Sequence, residues 1–321
     1  MRNFDDIITG VPEKPQSGPL AWLDPAQRRS VTLITATALA LFVLVRFLPT
    51  GTNLNHMDFR VTGKGVLEFC DPANPQFIPV VQVRSPVVLT LKPDRDPALN
   101  QALHFVLTMQ TASGKPIAPE DLLVAHTRKL HLMVIDPTLS DYQHIHPEPG
   151  RRAGEWTFTL TPHATGLYRV FADFTPVATA RGLYASAEFT VPGIVPTVIQ
   201  TPNTTWEVLG FKFELVLPPV LRARQPADLV FHVESQGAVK EPVPLQPVMG
   251  AFAHLVAFDE ARSGFAHLHP TETDLAHPPD ARRPELHFKV TIPTPGRYVI
   301  WAQVNLGGNE VFVPFWVEVQ P

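Results

Sequence analysis

Thirteen histidines occur in this 321-residue chain, and six of them fall into a pattern that occurs twice, H-x4-D-x7-H-x-H-P. The first copy runs from His131 through Asp136, His144 and His146 to Pro147, the second from His254 through Asp259, His267 and His269 to Pro270. Leu132/Leu255 and Ser140/Ser263 are identical as well. Neutral imidazole suits borderline ions such as zinc, copper and nickel, and three imidazoles on one face can share one ion. Each copy is therefore expected to bind a transition metal, copper or zinc, through His131, His144 and His146 or through His254, His267 and His269. Met133 would add a soft thioether in the first copy, where the second has Val256. Asp136 and Asp259 are expected to cap the loop, to orient a histidine from behind the ligands or to add a ligand. A second use stays open: histidines on a half-buried sheet also serve as plain hydrogen-bonding groups. His56, His104, His126, His163, His232, His277 and His287 show no repetition and read as ordinary surface or core residues.

For three histidines to meet, a particular element must carry them. Residues two apart on a strand point to one face, which pairs His144 with His146 and His267 with His269. KLHLMVID and DYQHIH predict a hairpin. With residues 137–140 as a four-residue loop, Asp136 faces Asp141, His131 lies opposite His146, and Met133 lies opposite His144. The same register sets His254 opposite His269 and Val256 opposite His267. A slip of one residue sends His131 and His254 to the other face, so the site depends on the register.

The surrounding sequence repeats with the histidines. From residue 85 onward, short apolar runs alternate with Pro, Gly, Asp and Asn, and no helical period follows. WTFTLTPHATGLYRVFADF lines up with LHFKVTIPTPGRYVIWAQV, and Gly166-Leu167-Tyr168 matches Gly296-Arg297-Tyr298. That Gly-x-Tyr resembles the tyrosine corner of immunoglobulin-like sandwiches, in which the hydroxyl ties back to the backbone. The expected fold is all-β, with two tandem immunoglobulin-like β-sandwiches at 85–192 and 206–321, joined by a linker at 193–205. Residues 49–84 read either as a stalk or as an extra strand segment padding the first sandwich.

A net charge of −4 gives no basic field for nucleic acid. With 45% hydrophobic and 17% charged residues, the chain can build packed cores. Its one cysteine, Cys70, permits no intramolecular disulfide or cysteine-based zinc cluster, and it lies outside both repeats, against a blue-copper site. Residues 31–48 (VTLITATALALFVLVRFL) form an apolar run, with Asp24-Pro25 before it as a helix start. One transmembrane helix is expected over 30–48, behind a flexible cytoplasmic tail at 1–29. Arg28 and Arg29 at its border favour a single-pass anchor in the cell membrane with the C-terminal part outside the cytoplasm.

Tandem H-x-H-P modules in a Pro-rich β-domain behind an anchor resemble bacterial periplasmic immunoglobulin-like proteins that handle heavy metals. The resemblance covers about residues 85–320. It implies metal binding or delivery in the periplasm without catalysis. The alternative is a non-catalytic adhesion or assembly module that presents its sandwiches to a protein partner and keeps the histidines as structural groups. No hydrolase or phosphate-loop motif occurs, so no enzyme activity is expected.

Overall fold

The computed structural model describes residues 23–46, 54–59, 75–198, 200–237 and 241–321. Cys70 and residues 1–22 of the expected tail lie outside these. The chain divides into one unit over residues 1–50 and another over 51–321.

The first unit contains helix α1, Pro25–Arg46. Its start is fixed by a reciprocal cap: the Asp24 carboxylate accepts from the Gln27 N–H at 2.8 Å, and the Gln27 side chain accepts from the Asp24 N–H at 3.2 Å. Pro25 then occupies the first helical position, where a missing N–H costs nothing. Among the described residues, no helix is long and apolar enough to cross a membrane. Residues 47 and 48, which end the expected span, lie outside them.

Among its described residues, the second unit is all strand and loop, apart from short 3-10 turns. Its first half contains β1 (Val87–Pro93), β2 (Leu103–Thr111), β3 (Leu122–Leu123), β4 (Leu130–Ile135), β5 (Tyr142–Ile145), β6 (Glu148–Pro149), β7 (Glu155–Leu160), β8 (Gly166–Pro176) and β9 (Leu183–Val191). The second half contains β10 (Thr205–Val208), β11 (Phe211–Val216), β12 (Pro226–Ser235), β13 (Leu245–Gln246), β14 (His254–Asp259), β15 (Phe265–Leu268), β16 (Glu285–Thr291), β17 (Gly296–Leu306) and β18 (Asn309–Val319). Each half is two sheets facing each other. In the first, β1-β2-β7-β6 lies over β3-β8-β4-β5, with β9 on the far edge of β8. In the second, β10-β11-β12-β16 lies over β13-β17-β14-β15, with β18 beside β17.

The alternation of each strand decides where its side chains go. Leu130, Leu132 and Val134 of β4 point into the first sandwich's own core, with Phe105, Trp156 and Val170. Leu255 and Ala257 of β14 do the same in the second, with Phe231, Phe288 and Ile300. The alternate residues do not face water. Met133 and Ile135 of β4, Tyr142 of β5 and Phe171 of β8 form one apolar layer with Val256 and Phe258 of β14, Phe265 of β15, and Val299 and Trp301 of β17. The two sandwiches thus bury the outer faces of their hairpin sheets against each other. His131, His144, His254 and His267 follow the same alternation onto this shared face.

Both Gly-x-Tyr corners have their hydroxyl tied to the backbone four residues upstream. Tyr168 reaches the Ala164 carbonyl at 3.2 Å, and Tyr298 reaches that of Thr294 at 3.0 Å.

The segment ahead of the first sandwich reaches both halves. Leu54 and Phe59 join the first core, while Phe77 joins the second and Ile78 and Val80 join the shared layer. Ile78 and Phe265 exchange backbone hydrogen bonds at 2.8 and 3.1 Å. Residues 75–82 therefore form a strap hydrogen-bonded to the second sandwich that also packs against β9 of the first. The strap passes so close to Gly264 that a Cβ there would lie 1.7 Å from the Ile78 carbonyl oxygen.

Candidate metal centre

The hairpin register is the one that a four-residue loop dictates. Met133 pairs with His144 and Leu132 with Ile145, which places His131 opposite His146. Val256 pairs with His267 and Leu255 with Leu268, which places His254 opposite His269. In each copy, three histidines offer one nitrogen apiece within 4.8 Å of one another.

The hydrogen bonds around the first triad determine where its lone pairs point. His131 Nε2 lies 2.9 Å from the Ala125 carbonyl, which can only accept, so Nε2 carries the hydrogen and Nδ1 is a lone pair. His144 Nδ1 lies 2.8 Å from Gln303 Oε1. Gln303 is itself oriented by donating Nε2–H to Glu310 at 2.8 Å, so His144 donates and its Nε2 is bare. His131 Nδ1 then sits 3.3 Å from His144 Nε2 and 3.1 Å from His146 Nε2. Two bare lone pairs at such a distance repel unless a cation lies between them. Tetrahedral bonds of about 2.05 Å place ligand nitrogens roughly 3.3 Å apart, which is the separation found. Tying the distal N–H to a fixed acceptor is also what orients metal-binding imidazoles.

The second triad has the same form with fewer partners. His267 Nδ1 faces Asp173 Oδ2 at 3.3 Å. His267 Nε2, His269 Nε2 and both nitrogens of His254 are buried with no hydrogen-bond partner. Each unpartnered buried polar group costs about 1–3 kcal/mol. An ion drawing on one nitrogen of each ring would remove most of that cost, leaving the second nitrogen of His254 unpaired, so the donor set fits one.

The two triads form one cluster. The ring of His144 is 5.4 Å from that of His267 and 6.3 Å from that of His254, and His131 is 5.8 Å from His267. Within the first triad the ring spacings are 4.9–5.5 Å. The cross-contacts are reciprocal. Asp173 is paired with His131 on the neighbouring strand, yet it bonds His267 of the other sandwich. Gln303 is paired with His254, yet it bonds His144.

Burial, reinforced by neighbouring histidines, holds His144, His254, His267 and His269 well below the usual imidazole range and moves His146 to about 4. Burial raises Asp173 to about 6, against the pull of His131 and His126. At neutral pH the rings are therefore uncharged, the form that ligates metals.

One expectation needs correction. His126 is no ordinary surface residue: its ring stacks on that of His269 at 3.6 Å and 20°, across the boundary between the sandwiches. It sits in a tight turn with Thr127, at φ 48° and 70°, and the turn's second-copy counterpart is Met249-Gly250 at 51° and 79°. Of the roles expected for Asp136 and Asp259, the hydrogen bonds show the loop cap and none to a histidine. Asp136 accepts the N–H groups of Thr138, Ser140 and Asp141 at 2.7–2.8 Å, and Asp259 accepts that of Ser263 at 2.6 Å. Five residues along the strand, about 16 Å, separate each from the first histidine of its triad. Met133 lies fully buried in the shared apolar layer.

Sequence reasoning missed Asp173 and Gln303. The available signal was the Gly-x-Tyr alignment: both stand five residues after the corner tyrosine, polar residues within the mostly apolar middle of their strands.

Residues 84–192 and 206–321 both match one family, described as "Domain of unknown function (DUF8832)". No curated protein matches the chain. Among solved structures, red sea bream transglutaminase is similar over 75% of this chain and 32% of its own, at 11% identity and a TM-score of 0.24. The native conformation of E. coli alpha-2-macroglobulin is similar over 73% of this chain and 17% of its own, at 12% identity and 0.24. The trypsin-activated form gives 73%, 18%, 13% and 0.21. This chain spans a third or less of those proteins, and likenesses this low bear on neither function nor fold.

Proposed function

We propose that this chain, which belongs to the DUF8832 family through both of its sandwiches, is a transition-metal-binding protein that holds one ion at each of two facing three-histidine sites. The observation that carries this is the convergence of bare lone pairs at His131 Nδ1 and His144 Nε2, with His146 Nε2 3.1 Å from the first and the distal nitrogens of His131 and His144 already tied to oxygen acceptors. A purely structural role would give each buried ring nitrogen a partner, whereas His254 has none at either nitrogen. Three imidazoles without thiolate suit copper(II), copper(I) or zinc. The resemblance to periplasmic immunoglobulin-like metal-handling proteins agrees with this reading, as binding and delivery without catalysis. The ions would be held by His131, His144 and His146 and by His254, His267 and His269.

The reading extends to an anchored chain. Helix α1 exposes Leu33, Ile34, Leu39, Leu41, Phe42 and Leu44, and the apolar run continues in sequence through Phe47 and Leu48. Carbonate-resistant sedimentation with membranes tests the anchor, and release by carbonate contradicts it.

The test of the sites is the stoichiometry of the full chain, measured by elemental analysis and calorimetric titration with copper and zinc. Two ions per chain are expected, falling to one in H144A/H146A. Absence of uptake at micromolar metal overturns the proposal.

A further inference from the structure

The two sites differ in what stands behind their second histidine. His267 faces a carboxylate, Asp173 Oδ2 at 3.3 Å. His144 faces a neutral amide, Gln303 Oε1 at 2.8 Å, whose own carboxylate partner Glu310 is one residue further out and exposed. The Asp173 side chain keeps 22% of its surface accessible and His267 keeps 4%. A carboxylate behind an imidazole makes the far nitrogen a stronger donor and offsets the charge of a divalent ion where water screens it little. An amide fixes the ring's orientation but adds no charge.

A second asymmetry favours the same site. His126 of the first sandwich lies exposed over the half-buried ring of His269, whereas its counterpart in the second sandwich is Met249. The second triad therefore has a spare imidazole at its edge and a carboxylate behind it, both supplied by the first sandwich.

Resting on the metal-binding reading, we infer that the paired centre fills in order. The His254, His267, His269 site takes a divalent transition ion first, with Asp173 as its positioning and charge-balancing residue, and the His131, His144, His146 site fills second. Replacing the partner of a metal-bound histidine changes affinity by about 10–100-fold, which sets the expected gap. Asp173 also stands beside His131 on the neighbouring strand, so its charge reaches both ions. Among the described residues, His267 alone has a hydrogen bond with its carboxylate, and the larger effect belongs there.

The experiment uses the full chain, in detergent where needed, with cobalt(II) and zinc(II) as probes. H146A and H269A isolate the second and the first site in turn, and chelator competition gives each affinity, with the cobalt ligand-field spectrum as a readout of coordination. H146A should bind about 10–100-fold more tightly than H269A. D173N should weaken H146A by about the same factor, with a changed cobalt spectrum, and weaken H269A less. Gln303→Glu combined with Glu310→Gln should tighten the weaker site towards the stronger. Two ions of equal affinity, or an equal loss at both sites in D173N, overturns the order of filling and leaves the metal-binding reading intact. No ion bound by the unaltered chain overturns both. If a single-site variant fails to fold, stepwise zinc loading of the unaltered chain with histidine footprinting decides: protection of His267 and His269 before His144 and His146 supports the order, and the reverse overturns it.

Discussion

A buried imidazole that resists protonation makes the folded state sensitive to acid. In the ion-free chain, His144, His254 and His267 are held well below 6.5 by burial and by one another, and His146 is held to about 4. Well above pH 6.5, from about pH 7.5, these rings are neutral in the folded and unfolded chain alike, and their linkage to folding vanishes. As pH falls below 6.5, the unfolded chain takes up protons first, so stability drops until the folded values are reached. Each such histidine contributes a slope of up to about 1.4 kcal/mol per pH unit. Asp173, raised to about 6, works with the opposite sign between that value and 3.8, but it is one group against several. Denaturant midpoints of the metal-free protein should fall steadily from pH 6.5 to 4.5, and a flat profile contradicts the buried neutral cluster. Asp136 tests a different property, because its carboxylate holds three loop N–H groups far from the rings. Asp136→Ala should cost about 1–3 kcal/mol in chemical unfolding and leave the ion count at two.

At the scale of elements, the hairpin turns short local spacing into a site. The x7 spacing between Asp136 and His144 leaves room for a four-residue loop and for pairing of Met133 with His144, so the register and the first-to-third histidine contact could be read from the sequence. The same spacing carried the second copy. What could not be read is non-local. His126 lies in a turn whose second copy has methionine, so repetition was silent there, and Asp173 and Gln303 act on histidines more than ninety residues away in the case of Asp173 and more than a hundred and fifty in that of Gln303. The role of the strap was equally hidden, since Gly264 explains itself only once Ile78 lies over it. Gly264→Ala must push the strap off or bend β15. Overpacking of this kind costs about 1–3 kcal/mol. Hydrogen exchange at the Ile78 and Val81 amides, bonded to Phe265 and Ser263, should accelerate while the β17–β18 pair stays protected.

For the whole molecule, the informative feature is that β4 is buried along its entire length. A single sandwich with one wet face would alternate apolar and polar residues, whereas LHLMVI does not, as in strands covered on both sides. The second cover is the other sandwich. That contact brings the triads together and supplies each with its cross-partner, so the proposed ion binding would be linked to docking of the sandwiches. Phe171 stands within this layer, its ring 5.4 Å from that of Phe265 and 6.1 Å from that of Phe258, and it takes no part in either sandwich's own core. Phe171→Asp puts an unpaired charge into the layer while leaving both cores complete. Both sandwiches should keep their strand content by circular dichroism, the scattering profile should expand, and both ions should bind at least about tenfold more weakly, because His267 loses Asp173 and His144 loses Gln303 together. Saturating zinc should partly restore the compact profile, since a ligand that binds only the docked form shifts the equilibrium towards it. Unchanged affinity at both sites in an expanded molecule would show that each triad is complete within its own sandwich and that the cross-partners are dispensable.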